Sequence, residues 1–309
     1  MSGLLYLSRR EVAELVPELP EQLDLVEATY RALAAGRVEL PPKPGVHPRT
    51  DSFIHAMPAY LADEDVVALK WVAGYPANKE RGLPYISGLV VVNDAGTGVP
   101  VAVMDAAEIT AARTAAASGV CVRRWAPDGW GRAAIVGCGE QGVYHARLLR
   151  ALNPEVRIRA YDPHPERVAR LGGDVEPAAS ETEAVGGADV VVTAAPIVAE
   201  PHPPLGPDAL GEHWLLLPID FDALVRRAAV EAADLFVVDD VGQFEYYREQ
   251  GHFRGWRAPE ESVGEALERG AHGHRVACVN LGVGALDAAF AARVAAVARE
   301  RGIGRQLPL

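Results

Sequence analysis

The stretch Ala133-Ala134-Ile135-Val136-Gly137-Cys138-Gly139-Glu140-Gln141-Gly142 constrains the fold more than any other. Four apolar residues read as a short buried strand. The glycines follow in the order G-x-G-x-x-G, and residues 140–152 carry apolar positions at helical spacing. Gly137 permits a tight turn, Gly139 lets a pyrophosphate approach the backbone, and Gly142 lets the helix pack closely on the strand. The helix start then offers unpaired N–H groups and the positive end of its dipole to an anion. The next strand, Val156–Tyr161, leads into Asp162, 20 residues after Gly142. An acid there can accept hydrogen bonds from both hydroxyls of a ribose, and it repels a 2′-phosphate. Gly137, Gly139, Glu140, Gln141, Gly142 and Asp162 are therefore expected to bind a dinucleotide, NAD(H) in preference to NADP(H). The competing reading is a tight turn without a ligand, with Asp162 capping the next helix.

The segments around this loop set the fold class. After the break at Pro127-Asp128-Gly129, strands are expected at Ala133–Val136, Val156–Tyr161, Val190–Ala194, Trp214–Leu217 and Leu235–Val238, with helices at 140–152 and 165–171. Such alternation implies a parallel sheet with helices on its faces, a Rossmann domain. Ahead of it, residues 9–36 show helical spacing (Val12, Leu15, Val16, then Leu23, Val26, Tyr30, Leu33) that ends at Pro41, Pro42 and Pro44. Residues 52–104 look β-rich, with Val66–Tyr75, Gly88–Asn93 and Val99–Asp105 as apolar runs and Asp94–Gly98 as a hairpin turn. Residues 106–125 and 285–301 are Ala-rich and should be helices. A chain of 309 residues is about twice a common domain length, which fits two domains.

Charge and cysteines remove several function classes. The formal charge is -12 and no basic stripe stands out, which argues against nucleic acid or an anionic membrane as partner. No apolar run is long enough for a membrane span, and Met1–Arg10 lacks a signal-peptide layout. Cys121, Cys138 and Cys278 are too few and too irregularly spaced for a disulfide framework or a zinc site. A cytoplasmic protein without a metal is expected. His272-Gly273-His274 reads as a surface loop rather than a metal pair. The aromatic run Phe244 to Trp256 reads as packing between helices, and Cys138 as a small filler.

A few charges invite a functional reading. Lys70 falls on the apolar face of its strand with Val66, Ala68 and Val72, where an ammonium is expensive unless paired. Arg113 lies among small residues in Thr110–Ala117, which would let a ligand carboxylate reach its guanidinium. Arg49 sits on a turn before a strand. Asp220 follows a parallel strand, at the edge where open α/β sheets bind ligands; Asp222 is a second candidate. Each also has an ordinary alternative as a solvated charge or a helix cap.

Taken together these stretches resemble the ornithine cyclodeaminase/μ-crystallin family over nearly the whole chain. The resemblance rests on Met57-Pro58-Ala59-Tyr60, Lys70-Trp71, Pro76-Ala77-Asn78, Gly82-Leu83-Pro84, Ile109–Ala116, the glycine loop and Asn280-Leu281-Gly282-Val283. It implies an NAD(P)-dependent homodimer acting on small amino or imino acids, either as an imine reductase or amino-acid dehydrogenase or as a cyclodeaminase that releases ammonia without net redox. A non-catalytic, crystallin-like ligand-binding role is the third possibility. It further implies a substrate-binding and dimerisation domain of α+β type from residues 1–127 with 280–309, and an NAD-binding Rossmann domain from residues 128–279. By position, Arg49, Lys70 and Arg113 would hold the substrate carboxylate. Lys70 and Asp220 would do the acid–base chemistry, while Thr114 and Val283 would join the glycine loop at the cofactor. Three departures argue against ornithine as substrate: Tyr85 follows Gly82-Leu83-Pro84, His55 stands where an acid would meet a distal ammonium, and Phe221-Asp222-Ala223-Leu224 replaces the segment usual after the catalytic aspartate.

Overall fold

A computed structural model describes residues 3–198 and 200–309. The chain forms two compact units, residues 1–113 with 282–309 and residues 114–281. The division falls inside the helix Ala107–Trp125, between Arg113 and Thr114.

The first unit is built on a mixed sheet. Its strands run in the order Arg305–Leu307, Leu4–Leu7, Pro100–Asp105, Ile86–Asp94, Val66–Gly74, Phe53–Leu61 and Val38–Glu39, with Gly45–Val46 also paired to Phe53–Leu61. Leu4–Leu7 and Pro100–Asp105 are parallel; the remaining pairs are antiparallel. The Ala-rich helix Gly284–Arg301 packs on the strands Phe53–Leu61, Val66–Gly74 and Ile86–Asp94. Its small residues allow that close approach: a Cβ on Gly284 would lie 2.8 Å from the Met57 carbonyl oxygen. The opposite alternation leaves Trp71 and Leu89, cross-strand neighbours, exposed on the other face. The helical region near the N-terminus is two helices, Arg9–Leu15 and Leu19–Ala34. The first starts in a capping box of Ser8 and Glu11. The second has Pro20 near its start, where a missing N–H does no harm.

The second unit is a wholly parallel sheet in the order Val175–Pro177, Arg157–Tyr161, Arg132–Val136, Val190–Thr193, Trp214–Pro218, Arg275–Val279, Leu235–Val238 and Glu261–Ser262. Strand order reverses between Arg132–Val136 and Val190–Thr193. In doubly wound sheets that switch opens a crevice at the strands' carboxyl ends. The aromatic run does pack: Phe244, Tyr247, Phe253 and Trp256 are buried with Phe221 and Phe236 in one cluster. Each such ring contributes about 1.5–3 kcal/mol by leaving water.

Two elements refine the sequence reading. Residues Pro165–Leu171 form a helix with the expected bounds, wound as a 3₁₀ helix. Pro165 starts it, Gly172 and Gly173 at positive φ stop it, and the Arg150 guanidinium takes up the terminal carbonyls of Leu171 and Gly172. The strand Arg275–Val279 lies between Trp214–Pro218 and Leu235–Val238, which are therefore not neighbours.

Candidate active site

In the first unit, two cations converge on one acid. Lys70 stands mid-strand with its side chain 1% exposed. Its Nζ donates to Asp287 Oδ1 at 2.7 Å and lies 3.4 Å from Thr110 Oγ1. Arg113 Nε donates to the same Asp287 oxygen at 3.1 Å. Burial, then the neighbouring Arg113, brings the Lys70 ammonium down to about 8, while Asp287 opposes the shift. Gly282 makes room for this arrangement. It has φ +82°, and a Cβ there would fall 2.8 Å from Arg113 Nη1. Its carbonyl oxygen accepts a hydrogen bond from Lys43 Nζ at 3.0 Å, and Lys43 is also buried. His55 is pushed down to about 3, first by burial and then by Lys43, His47 and Lys70, so its imidazole is neutral.

Arg49 is not part of this cluster. It is exposed and donates from Nη1 to the carbonyl of Pro48 at 2.6 Å. It lines a separate cavity of about 480 Å³ with Tyr75, Asn78 and Arg81. The buried cation beside Gly282 is Lys43, which sequence reading passed over within Pro41-Pro42-Lys43-Pro44. Asp287 was missed as well. Its only sequence signal is an acid inside the apolar run of the last helix. Val283 is fully buried as the residue preceding that helix.

In the second unit the glycine loop adopts the strand–turn–helix form. Gly137 has φ +99°, and a Cβ there would sit 2.5 Å from the Ala194 carbonyl oxygen, so only glycine fits. Gly139 precedes the helix Glu140–Leu152, which has no side-chain cap; nothing lies within 4 Å of where its Cβ would be. A helix start without a side-chain cap is a place where an anion can bind. Glu140 is exposed, and Gln141 Oε1 is buried without a hydrogen-bond partner. Gly142 and Thr114 are buried.

Asp162 plays a backbone role in this loop. Its Oδ2 accepts from Cys138 N and its Oδ1 from His164 N, both at 2.9 Å, and Arg167 Nη1 lies 3.5 Å from Oδ1. Each carboxylate oxygen can accept two hydrogen bonds, so capacity for a ribose remains. Cys138 is a buried filler whose thiol is raised to about 12, by burial first and Asp162 second.

Asp220 lies just beyond the strand Trp214–Pro218 and is 1% exposed. Its Oδ1 accepts from Thr193 Oγ1 at 2.6 Å and its Oδ2 from Ala195 N at 2.9 Å. Burial lifts the carboxyl to about 7, these hydrogen bonds work against the rise, and Asp222 adds to it. Phe221, between the two acids, is held at φ +62°, a conformation unfavourable for a bulky residue. Asp222 instead accepts from Phe253 N at 2.7 Å and lies 3.5 Å from His252 Nδ1, tying down the aromatic loop. Asp220 is thus a buried acid raised by its surroundings, while Asp222 anchors the aromatic loop. His272 faces Arg124, with Nε2 3.1 Å from Nη2. Among the described residues no group of three or more His, Cys, Asp or Glu is placed to hold a metal ion.

A sequence model of the ornithine cyclodeaminase/mu-crystallin family matches residues 5–213. The chain is 35% identical over 318 aligned residues to the nodulation efficiency protein NfeD of Rhizobium meliloti, with 97% of each chain covered. It is 32% identical over 202 residues to the alanine dehydrogenase of Archaeoglobus fulgidus, an alignment covering 62% of this chain and 60% of that one. Among solved structures, an archaeal alanine dehydrogenase dimer with bound NAD superposes with a TM-score of 0.87 at 25% identity, covering 99% of both chains.

Proposed function

The chain belongs to the ornithine cyclodeaminase/mu-crystallin family, and on that premise we propose that it is an NAD(H)-dependent oxidoreductase acting at the α-carbon of a small amino or imino acid. The observation that carries this reading is the buried cluster in the first unit. Lys70 and Arg113 bring two positive charges to the single carboxylate of Asp287. One positive charge is left over in a setting where an uncompensated charge is costly, and a substrate carboxylate supplies the balance. Lys43 and Gly282 belong to the same carboxylate site.

The second unit supports the cofactor half of the reading. The uncapped helix start at Gly139 suits a pyrophosphate, and Asp162 with its remaining acceptor capacity suits ribose hydroxyls. Its negative charge favours NAD(H) over NADP(H). NAD(H), when bound, supplies or takes up the hydride. The chain's own residues do the rest. Lys70, Arg113 and Lys43 pin the carboxylate and so fix the α-carbon, which can lower the barrier by several kcal/mol. Asp220, half protonated near pH 7, gives a proton to nitrogen in the reductive direction. In the oxidative direction it takes one from the water that opens the imine. A neutral His55 and the absence of an acid at that position support a substrate without a distal ammonium. The exposed Trp71–Leu89 pair supports a homodimer through the open sheet face. Three cysteines, all free thiols, fit a cytoplasmic setting; among the described residues no helix is long and apolar enough to cross a membrane.

The test is NADH absorbance with a panel of imino acids, or keto acids with ammonia. Net NADH consumption is expected, and Lys70→Ala should keep NAD affinity while losing activity by about a thousandfold or more. Ammonia release from a diamino acid without net redox would replace this reading with a cyclodeaminase. Intact NAD binding with no turnover of any candidate would replace it with a binding protein.

A further inference from the structure

We propose that Asp287 is a positioning residue of the carboxylate site: it keeps Lys70 a cation and holds Arg113 by one edge, so that the terminal nitrogens of Arg113 are left for the substrate. The proposal rests on the reading that Lys70 and Arg113 bind the substrate carboxylate, and it adds a residue which that reading does not require.

The geometry of the contact is its basis. Asp287 lies in the first turn of the helix Gly284–Arg301 and is 1% exposed. A carboxylate serving only to neutralise an arginine pairs both oxygens with the guanidinium fork. Here one oxygen, Oδ1, takes Lys70 Nζ at 2.7 Å and Arg113 Nε at 3.1 Å, while Oδ2 is buried with no hydrogen-bond partner. Leaving a buried carboxylate oxygen unpaired is unfavourable, so the arrangement is poor for stability alone. What it achieves is orientation. Engagement through Nε leaves both terminal nitrogens of Arg113 beside Gly282, whose φ of +82° favours glycine.

The groups around Lys70 give the charge logic. Arg113 and Thr110 face it from the helix Ala107–Trp125, Asp287 from the helix Gly284–Arg301, and neutral His55 from the adjacent strand, where Lys43 also acts on His55. Burial and Arg113 drive the ammonium toward losing its proton; among the described residues Asp287 is the anion that holds it on. Without that charge the ammonium is lost at lower pH, and carboxylate affinity goes with it.

The full chain has three lysines, Lys43, Lys70 and Lys79, so an NMR titration of labelled lysine Cε resonances can follow Lys70 directly, assigned by its loss in Lys70→Arg. The native Lys70 midpoint is expected near 8. In Asp287→Asn it should drop by at least about one pH unit, while Asp287→Glu stays close to native. At a pH near the native midpoint, KM for the amino or imino acid should rise about fivefold in Asp287→Asn. kcat should change far less, NAD affinity not at all, and Asp287→Glu should recover most of the loss. An unmoved midpoint in Asp287→Asn overturns the proposal, as does a KM rise that Asp287→Glu fails to recover. Should the Asn variant not fold, a native midpoint well below neutral pH overturns it without any variant, because Lys70 is then not kept a cation. If the native chain binds no amino or imino acid, the carboxylate reading itself falls and the proposal with it. If binding is intact and only the midpoint fails to move, Asp287 alone loses its role.

Discussion

Thr193→Val is the sharpest probe of Asp220. The Thr193 hydroxyl lies 2.6 Å from Asp220 Oδ1, and both groups are buried. A hydrogen bond to a charged group contributes about 1.5–3 kcal/mol. The protonated acid keeps part of that interaction, so the differential effect on ionisation is roughly 1.4 kcal/mol, or about one pH unit. The bond favours the charged form, so its removal raises the carboxyl from about 7 toward about 8, with Ala195 N still in place as an anchor. If Asp220 is the proton donor, reduction of an imine needs it protonated. The native rate should therefore fall as pH rises through about 7, and the variant's fall should move about one unit higher. The ratio of the rate near pH 8 to that near pH 6 should then rise about fivefold, a quantity independent of any general loss of activity. Thr193→Ser should leave the profile in place. Stability follows the same sign. With Asp220 raised, the native state binds more protons than the unfolded chain between the ordinary carboxylate range and about pH 7. Stability therefore declines as pH rises through that window, and in Thr193→Val the decline extends to higher pH. An unmoved rate profile, or one displaced to lower pH, refutes Asp220 as the proton donor.

Steady-state kinetics of Lys43→Met should show a substrate KM raised about tenfold to a hundredfold, the value of a lost charge-assisted hydrogen bond, whereas Arg49→Ala should stay within a few-fold, as exposed charges usually do. Asp162→Ala should raise the NADPH to NADH ratio of kcat/KM by about tenfold through loss of a like charge; an unchanged ratio would show that the backbone contacts to Cys138 and His164 are its whole role. Leu89→Asp should shift the sedimentation velocity from dimer to monomer, and a dimer that survives it would place the partner contact elsewhere.

The parts of this protein legible in the sequence are those governed by local constraints. The glycine loop was legible because Gly137 must adopt a positive φ against the Ala194 carbonyl and because strand, turn and helix follow each other without interruption. Lys70 was legible because period-two alternation put an ammonium on an apolar face. Arg49 lies on an exposed turn, and a resemblance by position cannot tell it from Lys43, the buried cation a few residues earlier that donates to the Gly282 carbonyl. Residues Pro165–Leu171 carry the composition of a helix, and composition does not separate 3₁₀ from α winding. The strand Arg275–Val279 is five residues following a His-Gly-His loop, too short for periodicity to separate it from the coil before it.

What stayed hidden is the counter-ion. Asp287 is 217 residues from Lys70 and 174 from Arg113, and an acid in an Ala-rich helix reads as a surface charge until its neighbours are known. Yet the burial of Lys70 could not be understood without it. A strand in the middle of a sheet has both flanks paired, so its inward ammonium has no route to water, and the anion must come from whatever covers that face. The cover is the helix Gly284–Arg301, the last helix in the chain, packed over the three strands around Lys70. Fold and site chemistry therefore meet in one helix. Its alanines allow the close approach that excludes water, and exclusion of water is what makes its single inward carboxylate strong enough to govern two cations.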